Sequence, residues 1–170
     1  MFVISITIIN SNQSYVEEVL LYLFLIQHGK TIPKDKDPER PLNIQGKKHT
    51  KRAASFLRSH GFLVEEIWHS DKLRAKQTAE IIGKKLFCKN IKERDDLGPL
   101  DPVKKIADQV QKQDENLMIS GHLPFLEKLA AQLLTGVQKK PIVKFQNSGI
   151  VCLEKDKDWS LVWSVIPNII

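Results

Sequence analysis

Leu21-Tyr22-Leu23-Phe24-Leu25-Ile26-Gln27-His28-Gly29 is the stretch on which the fold of this chain turns. Its six large apolar residues are too few to span a bilayer and predict a strand buried on both faces. A histidine and a glycine directly after the run put an imidazole at that strand's C-terminal edge, where open α/β sheets gather their ligands. Downstream, Lys30–Pro41 is charged and punctuated by prolines, hence a loop. Asn43 can cap a helix running to about Ser59, with Ala53, Ala54, Phe56 and Leu57 inward and His60-Gly61 closing it. Val64–His69 predicts a second strand. Ser70 then begins a helix through Leu86, on which Ala75, Thr78, Ala79 and Ile82 recur at helical spacing.

Asn90–Pro102 is rich in turn residues and reads as irregular. Val103–Lys112 predicts a helix, Leu117–Ser120 a third strand, Gly121-His122 a turn, and Pro124–Leu134 a helix with proline in its first turn. Two alternating segments, Ile150–Glu154 and Trp159–Ile166, flank the charged turn Lys155–Asp158 as a hairpin. The expected fold class is α/β: a three-layer α/β/α sandwich with a mostly parallel central sheet and a C-terminal β-hairpin. It forms a single domain over residues 20–170. Residues 1–19 are expected to be an appendage, with Phe2–Ile9 as a short strand and no signal-peptide pattern.

The 170 residues are 42% hydrophobic and 27% charged, ordinary for a globular protein. A net charge of +6 favours anionic partners. The 26 basic residues are interspersed with 20 acidic ones, without a basic block or aromatic-basic ladder, which argues against nucleic acid. No apolar span is long enough for a membrane helix. Cys88 and Cys152 lie in apolar surroundings without a CxxC pattern, so buried free thiols and a reducing, cytoplasmic compartment are expected.

Three strand-to-helix junctions carry polar residues suited to one chemistry. The first holds Gln27 and His28; the second, His69-Ser70-Asp71-Lys72-Leu73-Arg74, sets Arg74 in the first turn of a helix; the third, Ser120-Gly121-His122-Leu123-Pro124, sets a second imidazole at a helix mouth. In a parallel sheet such junctions share one edge, so His28, Arg74 and His122 can converge. A neutral imidazole can attack phosphorus, while a guanidinium and a protonated imidazole hold the oxygens. His49 and His60 are expected at the surface, and His69 is a weaker candidate for the pocket wall. No ligand spacing supports a metal.

Those segments, together with Arg40-Pro41-Leu42…Gly46, Arg74-Ala75-x-Gln77-Thr78 and Asn147-Ser148-Gly149, resemble the histidine phosphatase superfamily, and within it the small phosphohistidine phosphatases of the SixA type. The resemblance covers nearly all of residues 20–166. It implies a phosphorylated nucleophile at His28, phosphoryl binding by Arg74 and His122, and no metal or organic cofactor. It also implies a phosphohistidine-bearing protein or a small phosphorylated compound as partner, and a monomer. The family signature has arginine where this chain has Gln27, which offers a neutral amide N–H in place of a charged fork. Lys30, or failing it Arg40, is expected to restore the charge. The family's general acid falls in the loop Arg94–Leu100, where Asp96, or its neighbour Asp95, is the candidate proton shuttle. The expected activity is hydrolysis of phosphohistidine. The alternatives are a small-molecule phosphomonoesterase and a phosphoryl-binding module weakened by Gln27.

Overall fold

The computed structural model describes residues 20–138 and 140–170; the expected appendage over residues 1–19 lies outside the described residues. The opening apolar run forms β1 (Leu21–Gln27). Leu21, Leu23 and Leu25 join one core cluster, and Phe24 and Ile26 the other. The strand is therefore covered on both faces, which is why its sequence is apolar without alternation. Helix α1 (Ile44–Ser59) follows, its Gly46 N–H bonded to the Asn43 side chain at 2.7 Å. Then come β2 (Glu66–Ser70), α2 (Leu73–Leu86), β3 (Asn90–Arg94), α3 (Val103–Val110), β4 (Leu117–Gly121), α4 (Phe125–Thr135), β5 (Ile150–Lys155) and β6 (Trp159–Val165).

The sheet has the order β3-β2-β4-β1-β5-β6. β1 to β4 run parallel, whereas β5 and β6 form the antiparallel hairpin at one edge. Helices α1 and α2 pack on the Phe24 face, and α3 and α4 on the Leu23 face, completing three layers. Among the described residues no helix is long and apolar enough to cross a membrane.

Two local expectations are corrected. Asn90–Arg94 is not irregular: it is the edge strand β3, paired in parallel with β2 from Glu66↔Asn90 to Ser70↔Arg94. Its side chains are mostly exposed, so it has no apolar face for a period to mark. Helix α2 begins at Leu73 rather than Ser70, because Ser70 is still in the ladder of β2 and Lys72 occupies the cap position. Both cysteines are unpaired. Cys152 is buried, and burial pushes its thiol up to about 12, whereas Cys88 is only half-buried.

Candidate active site

Strand register builds the site. Gln27 of β1 pairs with Gly121 of β4, and Ser120 of β4 pairs with His69 of β2. The residues that follow, His28 and His122, therefore leave the sheet at one level, beside Ser70 at the end of β2. The His28 N–H extends the ladder by donating to the Gly121 carbonyl at 3.1 Å. The two imidazole rings lie 5.0 Å apart between centroids. Arg74, in the first turn of α2, brings its Nε–H to His28 Nε2 at 3.2 Å.

The turn at Gly29 depends on close backbone approach. A Cβ at Gly29 would lie 2.9 Å from Thr50 Oγ1 and 3.1 Å from the Gly46 carbonyl. A Cβ at Gly46 would lie 2.1 Å from the Lys30 carbonyl oxygen, where only hydrogen fits. The Asn43 N–H donates to that same carbonyl at 3.0 Å, so the start of α1 is held against the segment carrying His28. The Gly29 N–H donates to Thr78 Oγ1 at 3.1 Å, tying it to α2. Asn147 Nδ2–H donates to the His28 carbonyl at 2.8 Å and the Ser148 N–H to that of Gln27 at 2.9 Å.

The hydrogen bonds also choose the tautomer of His28. Nδ1 lies 2.8 Å from the Gly29 carbonyl, which can only accept, so Nδ1 carries the proton. Nε2 faces the Nε–H of Arg74, which can only donate, so Nε2 presents its lone pair. Burial pulls His28 down to about 4; the Gly29 bond opposes this, and the charges of Arg74 and Arg40 add to it. At neutral pH the ring is therefore uncharged. His122 is 3% exposed and falls to about 3, through burial first and then the fields of His28 and Arg74, with Asp71 opposing. These surroundings favour the neutral ring, and the protonated form expected to hold a phosphoryl group would need a compensating anion. Its Nε2 lies 2.6 Å from Ser70 Oγ.

Gln27 and Lys30 line an adjoining cleft of about 340 Å³ with His49, Leu123 and Asn147. Lys30 Nζ also donates to Gln45 Oε1 at 3.2 Å. His49 is thus a half-buried cleft residue and not simply a surface one; His60 is exposed as expected. The cation whose field reaches both His28 and Arg74 is Arg40. Its Nε is buried without a hydrogen-bond partner, and its Nη2 makes only a long 3.5 Å contact to Thr31 Oγ1. A buried guanidinium N–H without an acceptor suits an incoming anion.

Asp96, the candidate proton shuttle, is held by neighbouring cations. Both its oxygens are held at 2.8 Å by Arg94, and Lys105 adds a third contact at 2.8 Å. The Arg94 bonds lead in holding its carboxyl down at about 2, so it is ionised at neutral pH. No described hydrogen bond links it to His28, Arg74 or His122. Asp71 is the carboxylate whose field reaches Arg74 and His122, although Lys72 Nζ pairs with it at 2.8 Å. His69 is buried, its Nδ1 committed to the Ser70 carbonyl at 2.8 Å. Sequence reasoning passed over Ser70 and Asn147 as contact residues: each stands beside a flagged histidine only in the folded ladder.

Residues 23–101 match the model of the histidine phosphatase superfamily, branch 1. The chain is 24% identical over 153 residues to the phosphohistidine phosphatase SixA of Escherichia coli K12, a match covering 86% of this chain and 94% of that protein. Its fold is similar to that of the protein histidine phosphatase SixA complexed with tungstate, with a TM-score of 0.79 and 24% identity over 88% of this chain and 99% of that one. It is also similar, at a TM-score of 0.64 and 15% identity, to phosphoserine phosphatase from Entamoeba histolytica in complex with 3-phosphoglyceric acid, covering 85% of this chain and 96% of that one. With the signature segments, the sheet order and the converging His28, Arg74 and His122 all in place, residues 23–101 carry the pattern of the histidine phosphatase superfamily and the chain takes the fold of its SixA members.

Proposed function

We propose that the protein is a phosphohistidine phosphatase working through a phospho-His28 intermediate, in the reducing cytoplasm that its unpaired cysteines suit. The observation that carries this is the fixed tautomer: Nδ1–H on the Gly29 carbonyl and a lone pair on Nε2 beside Arg74. On arrival of a phosphoryl group, Arg74 redirects the hydrogen bond of its Nε–H from His28 Nε2 to a phosphoryl oxygen and frees the nucleophile. His122 meets the dianion, which raises its proton affinity and makes it a charged donor to the phosphoryl oxygens. Gln27 contributes a neutral amide N–H, Lys30 charge at the cleft mouth, and Arg40 the guanidinium that the family signature has at Gln27.

Nε2 attacks phosphorus in line as the bond from phosphorus to the substrate nitrogen breaks. The leaving imidazole departs neutral if its distal nitrogen is already protonated. In the second half-reaction water attacks phosphorus, its protons leave with the phosphate, and His28 departs as a neutral imidazole because its proton has stayed on Nδ1, hydrogen-bonded to the Gly29 carbonyl. Neither expulsion needs a general acid. An alkoxide leaving group would need one, and Asp96, held ionised by Arg94 and Lys105, is poorly suited to serve. This favours a P–N over a P–O substrate and disfavours the phosphomonoesterase alternative.

The test compares turnover of a phosphohistidine peptide with that of p-nitrophenyl phosphate and a sugar phosphate at equal concentration. The proposal expects the peptide to lead in kcat/KM by at least about tenfold. Faster hydrolysis of either ester would select the small-molecule reading.

A further inference from the structure

The outer face of α1 carries a cleft of about 940 Å³ that the proposed chemistry does not use. Lys47, Lys48, Lys51 and Arg52 line it, together with the half-buried Phe56 and Ile170, which pack on the core, and Ile44, which is 89% exposed. No Asp or Glu occurs anywhere in α1. Among the described residues no Asp or Glu forms an ion pair with any of those four cations. Arg52 donates to the terminal oxygen of Ile170, the last residue, which leaves Lys47, Lys48 and Lys51 as the cations without an acidic partner. Lys47 and Lys51, like Lys48 and Arg52, stand at i,i+4, where like charges weaken a helix. A helix that stacks them with no carboxylate of its own gains from an anionic partner.

Helix α1 lines both this groove and the cleft beside Gln27. The first turn of α1 is held against Lys30 through Asn43 and Gln45, and His49 of the same helix lines the cleft beside Gln27. The 16 residues of α1 run for roughly 24 Å, within the span of one docked protein surface. We propose that this groove docks an acidic, amphipathic surface of the protein whose phosphohistidine enters the His28 site; the inference rests on the phosphohistidine reading above. Basic rim and apolar floor fit such a face better than a nucleic acid. Phe56 is engaged with His60 at 4.3 Å and with Trp163 at 5.5 Å between ring centroids, which leaves it a poor platform for stacked bases.

The full-length chain can be tested with two phosphohistidine peptides that share the residues around the histidine. One bears a helical extension with glutamates at i, i+4 and i+7 opposite an apolar stripe; the other has glutamine at those positions. The acidic peptide is expected to show kcat/KM about five- to tenfold higher at low salt, with the advantage fading by about 0.5 M salt. Lys47→Glu/Lys51→Glu should abolish that preference while turnover of phosphoramidate stays unchanged. Equal rates for the two peptides in the wild-type chain would overturn the docking proposal, including the case in which residues 1–19 themselves fill the groove. Stronger competition by single-stranded DNA than by the dephosphorylated acidic peptide would also overturn it, in favour of nucleic acid. If phosphoramidate and both peptides are left intact, it is the phosphatase reading that has failed.

Discussion

His28 holds its lone pair at Nε2 because two neighbours divide the ring between them, a carbonyl on one side and a guanidinium on the other. The consequence is measurable by carbon-detected NMR: the His28 ring should titrate near 4, not at the ordinary imidazole value. Arg74→Ala should lower kcat by about 10²- to 10³-fold, since it removes a preorganised donor from the transferring phosphoryl group. Arg74→Lys should recover only part of the loss, because an ammonium lacks the planar fork. Gln27 was legible from sequence as a missing charge. Which cation replaces it was not, because Lys30 is nearer in sequence while Arg40 is brought in by the fold of its loop. If Arg40 carries that charge, Arg40→Ala should cost about tenfold or more in kcat/KM, and Gln27→Arg should gain less than about tenfold. A large gain from Gln27→Arg with no loss from Arg40→Ala would reverse the assignment.

Elements decide how well these side chains are placed. Of the described glycines, Gly46 leaves the least room for a Cβ, against the Lys30 backbone. Gly46→Ala should therefore push α1 off the His28 segment, cost about 1–3 kcal/mol in denaturant unfolding, and reduce activity together with stability. Phe24→Ala, emptying the buried centre of β1, should cost about 3–5 kcal/mol. Both elements were readable from sequence: β1 by its continuous apolar run, α1 by the Asn43 cap and the spacing of Ala53, Ala54 and Leu57. β3 was not readable, since Asn90–Arg94 owes its strand form to pairing with β2 and not to an apolar face of its own. The same lapse hid what Asp96 does, because Arg94, the last residue of β3, carries the guanidinium that claims it.

At the scale of the whole molecule, two imidazoles are held neutral at the cost of protons they would bind in an unfolded chain. Both His28 and His122 are depressed, to about 4 and about 3, from an ordinary value near 6.5. The unfolded state therefore binds more protons as pH falls below about 6.5, and stability should decline from there toward pH 3–4. Thermal unfolding followed between pH 7 and 4.5 should show that fall, and a His28→Gln/His122→Gln variant should flatten it. The parallel sheet that brings three separate junctions to one edge was legible in outline from strands alternating with helices. The contacts that divide labour among those junctions, Ser70 on His122 and Asn147 on the His28 carbonyl, exist only once the ladder has formed. The most direct measurement is to mix the protein briefly with phosphoramidate, quench in alkali and sequence its peptides by mass spectrometry. The account predicts a single phosphoryl group, labile to acid, on His28. Phosphate release with the label on another residue, or with no label at any quench time, would contradict it.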